Sequence, residues 1–381
     1  MSLSSWRDRF PAIADEGWTH LRNCSVGPVP RSGLAAHEAY QRAWIERARP
    51  WDDWLEAVDR AKAAFAALIN ADPHEIATFS SATSAIAQVA SAFDYEARNE
   101  IVTSTLDFPT VPQFWHAQRT RGATVRFAEP GNRRYVPAAS YAEQIRDETL
   151  MVCTAHASSF TGGLIDVDAV ADAVHDRGGY LFLDAYQTAG HVPIDVERQD
   201  IDMLTTGTLK FLLGGPGIAF LYVDDDVANE LEPTNRGWFG VANPFEFNIH
   251  DPAYAPGTRR FELGTPPVPN AYMATAGLEV IGDVGVETIR ERVVEHTGRT
   301  IEAANRDGFS VATPHAVDHR GGVVNVQVQD PEAVTNALHD RKFNVSSRGG
   351  GIRIAPHFFT LEEEIDAVVD AIADVATPRS T

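Results

Sequence analysis

One lysine, Lys210, stands in GTLKFLLGGPG (207–217) between small hydroxylated residues and a glycine ridge. The 381-residue chain holds only two others, Lys62 and Lys342. A half-buried amine is costly unless it has a partner or a task. It titrates more readily than a guanidinium and attacks carbonyl carbon. Lys210 therefore either bonds a carbonyl in a tight turn or serves as a nucleophile.

Three other segments bear on that choice. YLFLDAYQTAGHVPIDV (180–196) ends a strand-like run in Asp184, with Gln187 three residues on. A carboxylate at the carboxyl end of a parallel strand faces the crevice where α/β sheets bind ligands, or it caps the next helix. TFSSATSAIAQVASAF (78–93) opens a helix with Ser81, Thr83 and Ser84. Hydroxyls and free N–H groups there make either an anion site or a plain cap. In STLDFPTVPQFW (104–115), Phe108 follows a strand end, where it either stacks on a flat ring or fills core. A planar aldehyde with a phosphate, a basic ring nitrogen and a phenol would use all four features. That cofactor is pyridoxal 5′-phosphate, with Lys210 as the Schiff-base lysine.

Elements of the right kind exist to position these groups. Apolar runs at 101–104, 124–128, 150–154, 180–184, 203–207 and 218–223 read as strands, with helical stretches between them. This alternation predicts an α/β domain with a mainly parallel sheet. LEAVDRAKAAFAALIN (55–70) has helical spacing, with Leu55, Val58, Ala61, Phe65 and Leu68 on one face and Lys62 within the helix. Beyond about residue 260, a long helical stretch (270–305), further strands and a closing helix predict a smaller α+β domain. The expected division is an N-terminal arm (1–20), a large domain (21–255) and a small domain (256–381), the N-terminal segment packing with the last. Lys342, in the charged turn HDRKFN, reads as solvated.

The bulk composition excludes several classes. A net charge of −21 argues against a nucleic-acid partner. No apolar run reaches the length of a membrane span, and the first residues lack a signal-peptide pattern. Cys24 and Cys153 have no metal-ligand spacing, so no metal is expected and a cytoplasmic location is the default. Few lysines and many aspartates suit either a GC-rich genome or a salt-adapted, acidic surface.

The Asp-x-x-Gln segment followed by Lys-x-x-x-Gly-Gly-Pro-Gly resembles the class V aminotransferases, fold-type I pyridoxal-phosphate enzymes that include cysteine desulfurases, kynureninases and isopenicillin N epimerase-like proteins. The resemblance runs from LRNCSVGPVP (21–30) to GIRIAPHFFTLEEEID (351–366). It implies that Asp184 holds the pyridine nitrogen and Gln187 contacts the ring oxygen. It implies that Ala82 and Thr83 bind phosphate, helped by Thr208, and that Arg353 grips the substrate α-carboxylate. It further implies a homodimer with shared active sites, Thr265 reaching the neighbouring subunit's phosphate and Trp238 near the same interface. Asn23 and Arg348 are substrate-side candidates.

Departures from the family pattern narrow the reaction. Phe108 stands where desulfurases carry a histidine over the ring, and Leu209 where a histidine precedes their lysine. FNVSSRGGGIR lacks their mobile cysteine, which disfavours persulfide chemistry. Kynureninase's tyrosine before the lysine is missing, and Ser158 replaces its asparagine. The expected substrate is an amino acid, with Lys210 moving protons at Cα. Transamination ranks first, β-elimination or hydrolytic cleavage second, with epimerisation also open. The contrasting expectation is a protein of this fold that binds the cofactor without turnover. Trp115, Tyr186, Trp238 and His357 are either pocket or plain core.

Overall fold

The computed structural model describes residues 3–379. Its main sheet has seven strands: β1 (Ile76–Phe79), β2 (Glu100–Ser104), β3 (Thr124–Ala128), β4 (Thr149–Ala155), β5 (Tyr180–Asp184), β6 (Met203–Gly207) and β7 (Ala219–Val223). They lie in the order β1-β7-β6-β5-β4-β2-β3, all parallel except β7, which is antiparallel to both neighbours. Every residue of β4, β6 and β7 is buried. Helices cover both faces of such a sheet, so its strands read as continuous apolar runs instead of alternating ones. The chain steps outward from β2 to β3, then returns to place β4 on the other side of β2. The crevice at that reversal, beyond the carboxyl ends of β2, β4 and β5, is where a sheet of this kind binds its ligand.

A second, antiparallel sheet of three strands is formed by β8 (Val324–Gln327), β9 (Ser346–Arg348) and β10 (Gly351–Ile354), with β10 in the middle. Thr19–His20 pairs in parallel with Phe343–Asn344, so the N-terminal segment is tied to this smaller unit. The helical stretch expected as continuous is two helices, α3 (Val268–Val284) and α4 (Val286–Arg306). Gly285 between them has φ 86°, a conformation that ends a helix and that a side chain would strain. Core membership changes along α4. Ile289 and Val293 pack in the core of the large sheet, whereas Ile301 and Ala304 pack under the small one.

The helix carrying Lys62, α1 (Trp51–Ile69), buries Val58, Ala61 and Phe65, with Phe65 stacked 4.6 Å from Phe220 of β7. Leu55 and Leu68 are only half-buried. Lys62 lies on the buried face, where its amine meets Glu262 at 2.6 Å. Glu262 also accepts from the Thr78 N–H and hydroxyl, which joins α1, β1 and the loop leading to Thr265. Removing one member of a buried pair strands the other charge, at a cost of about 3–5 kcal/mol. Lys62→Met is expected to lower unfolding stability by that order in urea titration. A cost within about 0.5 kcal/mol, as for an ordinary surface substitution, would show that the pair does not anchor this loop.

Candidate active site

The three lysines have three different surroundings. Lys62 is paired inside the fold, and Lys342 is exposed, its amine 4.6 Å from the Trp18 ring centre. Lys210 alone reaches a cavity. That cavity, of about 270 Å³, lies beyond the carboxyl ends of the parallel strands and is lined by Asp184, Tyr186, Gln187, Lys210, Phe108 and the segment Ser81–Thr83, among others.

Close approach of backbones builds the Lys210 turn. Gly27 donates its N–H to the Leu209 carbonyl at 2.8 Å, and a Cβ on Gly27 would fall 2.2 Å from the Lys210 carbonyl oxygen. Gly207, which closes β6, lies under the Tyr186 ring. A Cβ there would fall 2.4 Å from the Tyr186 hydroxyl. Only glycine admits both contacts. The Lys210 amine is left 4.0 Å from the Tyr186 ring centre and 5.9 Å from that of Phe108. Burial lowers its pKa to about 8, Asp184 opposing that shift and Arg353 and Arg348 adding to it. Near neutrality a useful fraction is therefore free amine.

Asp184 ends β5 and accepts the Tyr186 N–H at 2.9 Å. Burial raises its carboxyl to about 6, against the pull of that N–H and of Lys210. A cationic ring nitrogen beside it would restore its full charge. Gln187 donates from Nε2 to the Cys24 carbonyl at 3.1 Å, and its buried Oε1 has no partner among the described residues. The helix α2 (Ala82–Ala90) begins at the cavity wall, capped by Ser81, whose hydroxyl accepts from the Ser84 N–H. Its first N–H groups form a site for an anion.

Arg353, on β10, is 2% exposed and donates to the Ser159 carbonyl at 2.9 Å. Its Nε has no partner among the described residues. Arg348 is half-buried and donates to the Ser159 hydroxyl at 3.3 Å. Asn23 donates to the Ala355 carbonyl at 2.7 Å, and its buried Oδ1 is also unpartnered among the described residues. Buried polar atoms are rarely left so, and a polar ligand here would satisfy them.

The other expected residues lie elsewhere. Thr208 is fully buried and donates to the Gly215 carbonyl at 2.7 Å, which ties the turn together; it is not on the cavity wall. Thr265 and Trp238 are also outside this cavity. Thr265 is exposed beside Ser80 and Ser84, and Trp238 packs with Trp51, Phe245 and Phe247. Trp115 is core, and His357 is buried against the Phe211 carbonyl. Of the aromatic pocket candidates, Tyr186 alone lines the cavity.

One organising residue escaped the sequence reading. Asp107 is buried and accepts from the Thr103 hydroxyl, the Ser104 N–H, the Thr154 hydroxyl and the Ala155 N–H. It knits the ends of β2 and β4 together immediately before Phe108. Its only sequence signal is an acid at a strand end with Thr103 four residues upstream.

Known proteins resemble this chain in sequence and fold. The model of the family described as Aminotransferase class-V matches residues 49–366. The chain is 33% identical to a protein named as the uncharacterized aminotransferase YcbU of Bacillus subtilis (strain 168), over 97% of this chain and 96% of that one. It is 31% identical to a kynureninase of Deinococcus radiodurans, over 80% and 77% of the two chains. The fold superposes on that of the cystine C–S lyase C-DES with a TM-score of 0.88, at 22% identity, covering 96% of this chain and 99% of that one. The lysine at a parallel-sheet crevice, its facing carboxylate and the anion-binding helix suit one cofactor, pyridoxal 5′-phosphate. This chain belongs to the class-V aminotransferase family of pyridoxal-phosphate enzymes.

Proposed function

We propose that the enzyme works at the Cα of an amino acid and that transamination is its reaction. The observation that carries this reading is the placement of Lys210 and Asp184 in one cavity with a buried, carboxylate-free Arg353 beside it. Bound pyridoxal phosphate supplies an aldehyde for amines and a cationic ring that draws electrons from Cα.

The chain's own residues do the rest. Arg353 holds the substrate α-carboxylate by charge-assisted hydrogen bonds, which fixes Cα near Lys210. The Lys210 amine, its pKa near 8, takes and returns protons at Cα. Asp184 would hold a proton on the ring nitrogen, and the free Gln187 amide oxygen would meet the ring oxygen's side of the cofactor. The N–H groups at the start of α2, with Ala82 and Thr83, would hold the phosphate, and Phe108 would stack on the ring. Asn23 closes the substrate side.

The same reading makes the working unit a homodimer. Thr265 and Trp238 lie outside their own protomer's cavity, and Phe245, Phe247 and Ile249 beside Trp238 are 54%, 69% and 86% exposed. Contiguous apolar exposure of this kind marks a contact surface.

A second reading, β-elimination or hydrolytic cleavage, draws support from the kynureninase similarity and from Phe108, whose ring faces the Lys210 amine at 5.9 Å. The test is product analysis on cofactor-loaded protein with a panel of amino acids, with and without a 2-oxo acid acceptor. Transamination predicts one turnover that halts until acceptor is added. Continuous oxo-acid and ammonia release without acceptor would replace it with the lyase reading.

A further inference from the structure

The cavity carries more cationic groups than an amino acid with a single carboxylate would occupy. Lys210 lines it, and Arg353 and Arg348, which are not on the wall themselves, both donate to Ser159, which is; among the described residues Asp184 is the one carboxylate lining it. In the reading proposed above, on which this inference rests, Asp184 is matched by the ring nitrogen and Arg353 by the α-carboxylate. Arg348 is left over.

Its position is built into the hairpin. In the antiparallel register of β9 and β10, Ser346 lies opposite Arg353 and Arg348 opposite Gly351. Residues two apart on a strand share a face, so Arg348 and Arg353 are diagonal neighbours on one side of the hairpin, about 7 Å apart at Cβ. Gly349 and Gly350, at φ 61° and 79°, make the turn between them. Asn325 of β8 clamps this turn to the loop after β4, donating both to the Arg348 carbonyl at 3.0 Å and to the Phe160 carbonyl at 2.8 Å.

The guanidinium itself is held between surfaces. Its Cζ is 5.3 Å from the Phe108 ring centre and 5.7 Å from that of Phe160, and Nη1 donates to the Ser159 hydroxyl. Aromatic faces and a neutral hydroxyl orient a guanidinium without neutralising it. Among the described residues no carboxylate pairs with Arg348 or with Arg353, whose two side chains are joined only through Ser159. Two like charges fixed at this spacing repel, and a ligand with two anionic groups relieves both at once. The Phe108 ring that contacts Arg348 is also the ring facing the Lys210 amine, so the second anionic group would lie beyond the reacting carbon, on the substrate side chain.

We infer that the substrate is an α-amino acid whose side chain ends in a second acidic group, Arg353 taking the α-carboxylate and Arg348 the distal one. A charged hydrogen-bonding site of this kind rejects the neutral analogue, because the guanidinium is left desolvated and unpaired.

The test uses the cofactor-loaded enzyme and has two arms. Calorimetric titration compares succinate with propionate, neither of which reacts. Steady-state kinetics compares L-aspartate and L-glutamate with L-alanine. Succinate is expected to bind at least roughly tenfold more tightly than propionate, and kcat/KM to favour an acidic substrate by roughly 100-fold. Arg348→Gln should collapse both ratios toward one, chiefly through KM, and Arg348→Lys should restore part of each. Equal binding of succinate and propionate, or ratios untouched in Arg348→Gln, would overturn the inference. Selective succinate binding without turnover of any amino acid would sustain the anion site while sinking the proposed reaction. Efficient transamination of alanine with no acidic preference would do the reverse.

Discussion

Lys210→Ala is expected to abolish turnover, with kcat falling by about 10³-fold or more. General acid–base catalysis alone contributes on the order of 10²–10⁴, and in the reaction proposed above Lys210 supplies the amine for both cofactor attachment and proton transfer. Lys62 is committed to Glu262 and Lys342 is at the surface, so neither can substitute. Lys210→Arg should fare no better, since a guanidinium stays protonated at any working pH. The fold should survive both changes, because among the described residues the amine makes no hydrogen bond or ion pair and faces the Tyr186 and Phe108 rings. Circular dichroism and the cofactor's visible absorption separate the outcomes. Native dichroism with a lost lysine-linked band and no turnover is the expected set. Residual activity within tenfold of the parent enzyme would remove Lys210 from the chemistry.

The second large effect is on stability against pH. His20, His156 and His357 are buried with pKa values lowered to about 4, His191 is lowered to about 3, and His296 to about 4. Burial is the main cause for all five, with Arg290 adding to it at His156 and His191 and Arg292 at His296. Each folded value is depressed below the unfolded value of about 6.5. Between the two the unfolded chain binds protons that the native one refuses, so stability is fully present above pH 6.5 and is lost as pH falls.

At pH 5 each histidine costs roughly 2 kcal/mol by linkage, and five together approach the whole stability of an ordinary domain. Four groups oppose the trend. His175 is raised by its hydrogen bond to Asp202, and Glu75, Asp107 and Asp184 are raised by burial. Asp195 and Asp366, lowered by hydrogen bonds at Arg198 and Arg299, side with the five histidines, so cooperative acid unfolding is expected near pH 5. Thermal melting from pH 8 to 5 checks this, and His191→Gln should move the acid midpoint downward. A melting temperature that stays flat to pH 5 would refute the linkage.

Much of this protein was legible without coordinates. The strands at 180–184 and 203–207 have the bounds read from the sequence because strands covered on both faces carry unbroken apolar runs, and the half-exposed edge strand 124–128 was legible from its β-branched and aromatic residues. Lys210 stood out by the scarcity of lysine and by its glycine-rich context, and Asp184 by its place at a strand end. These are local signals, set by neighbours within a few residues.

What the chain could not show locally was decided by contacts over long separations. That Lys62 is buried depends on Glu262, 200 positions away in the chain. That Asp107 joins two strands depends on Thr154 and Ala155, which only the return of β4 beside β2 brings near. The Thr208 hydroxyl is consumed by the Gly215 carbonyl once the turn folds, which no spacing rule foretells. Arg348 and Arg353 share a face only through the hairpin register, and a one-residue slip would have parted them. Periodicity and glycine placement thus wrote the elements into the sequence, while the charge balance of the cavity arose only when sheet order and hairpin register brought distant side chains together.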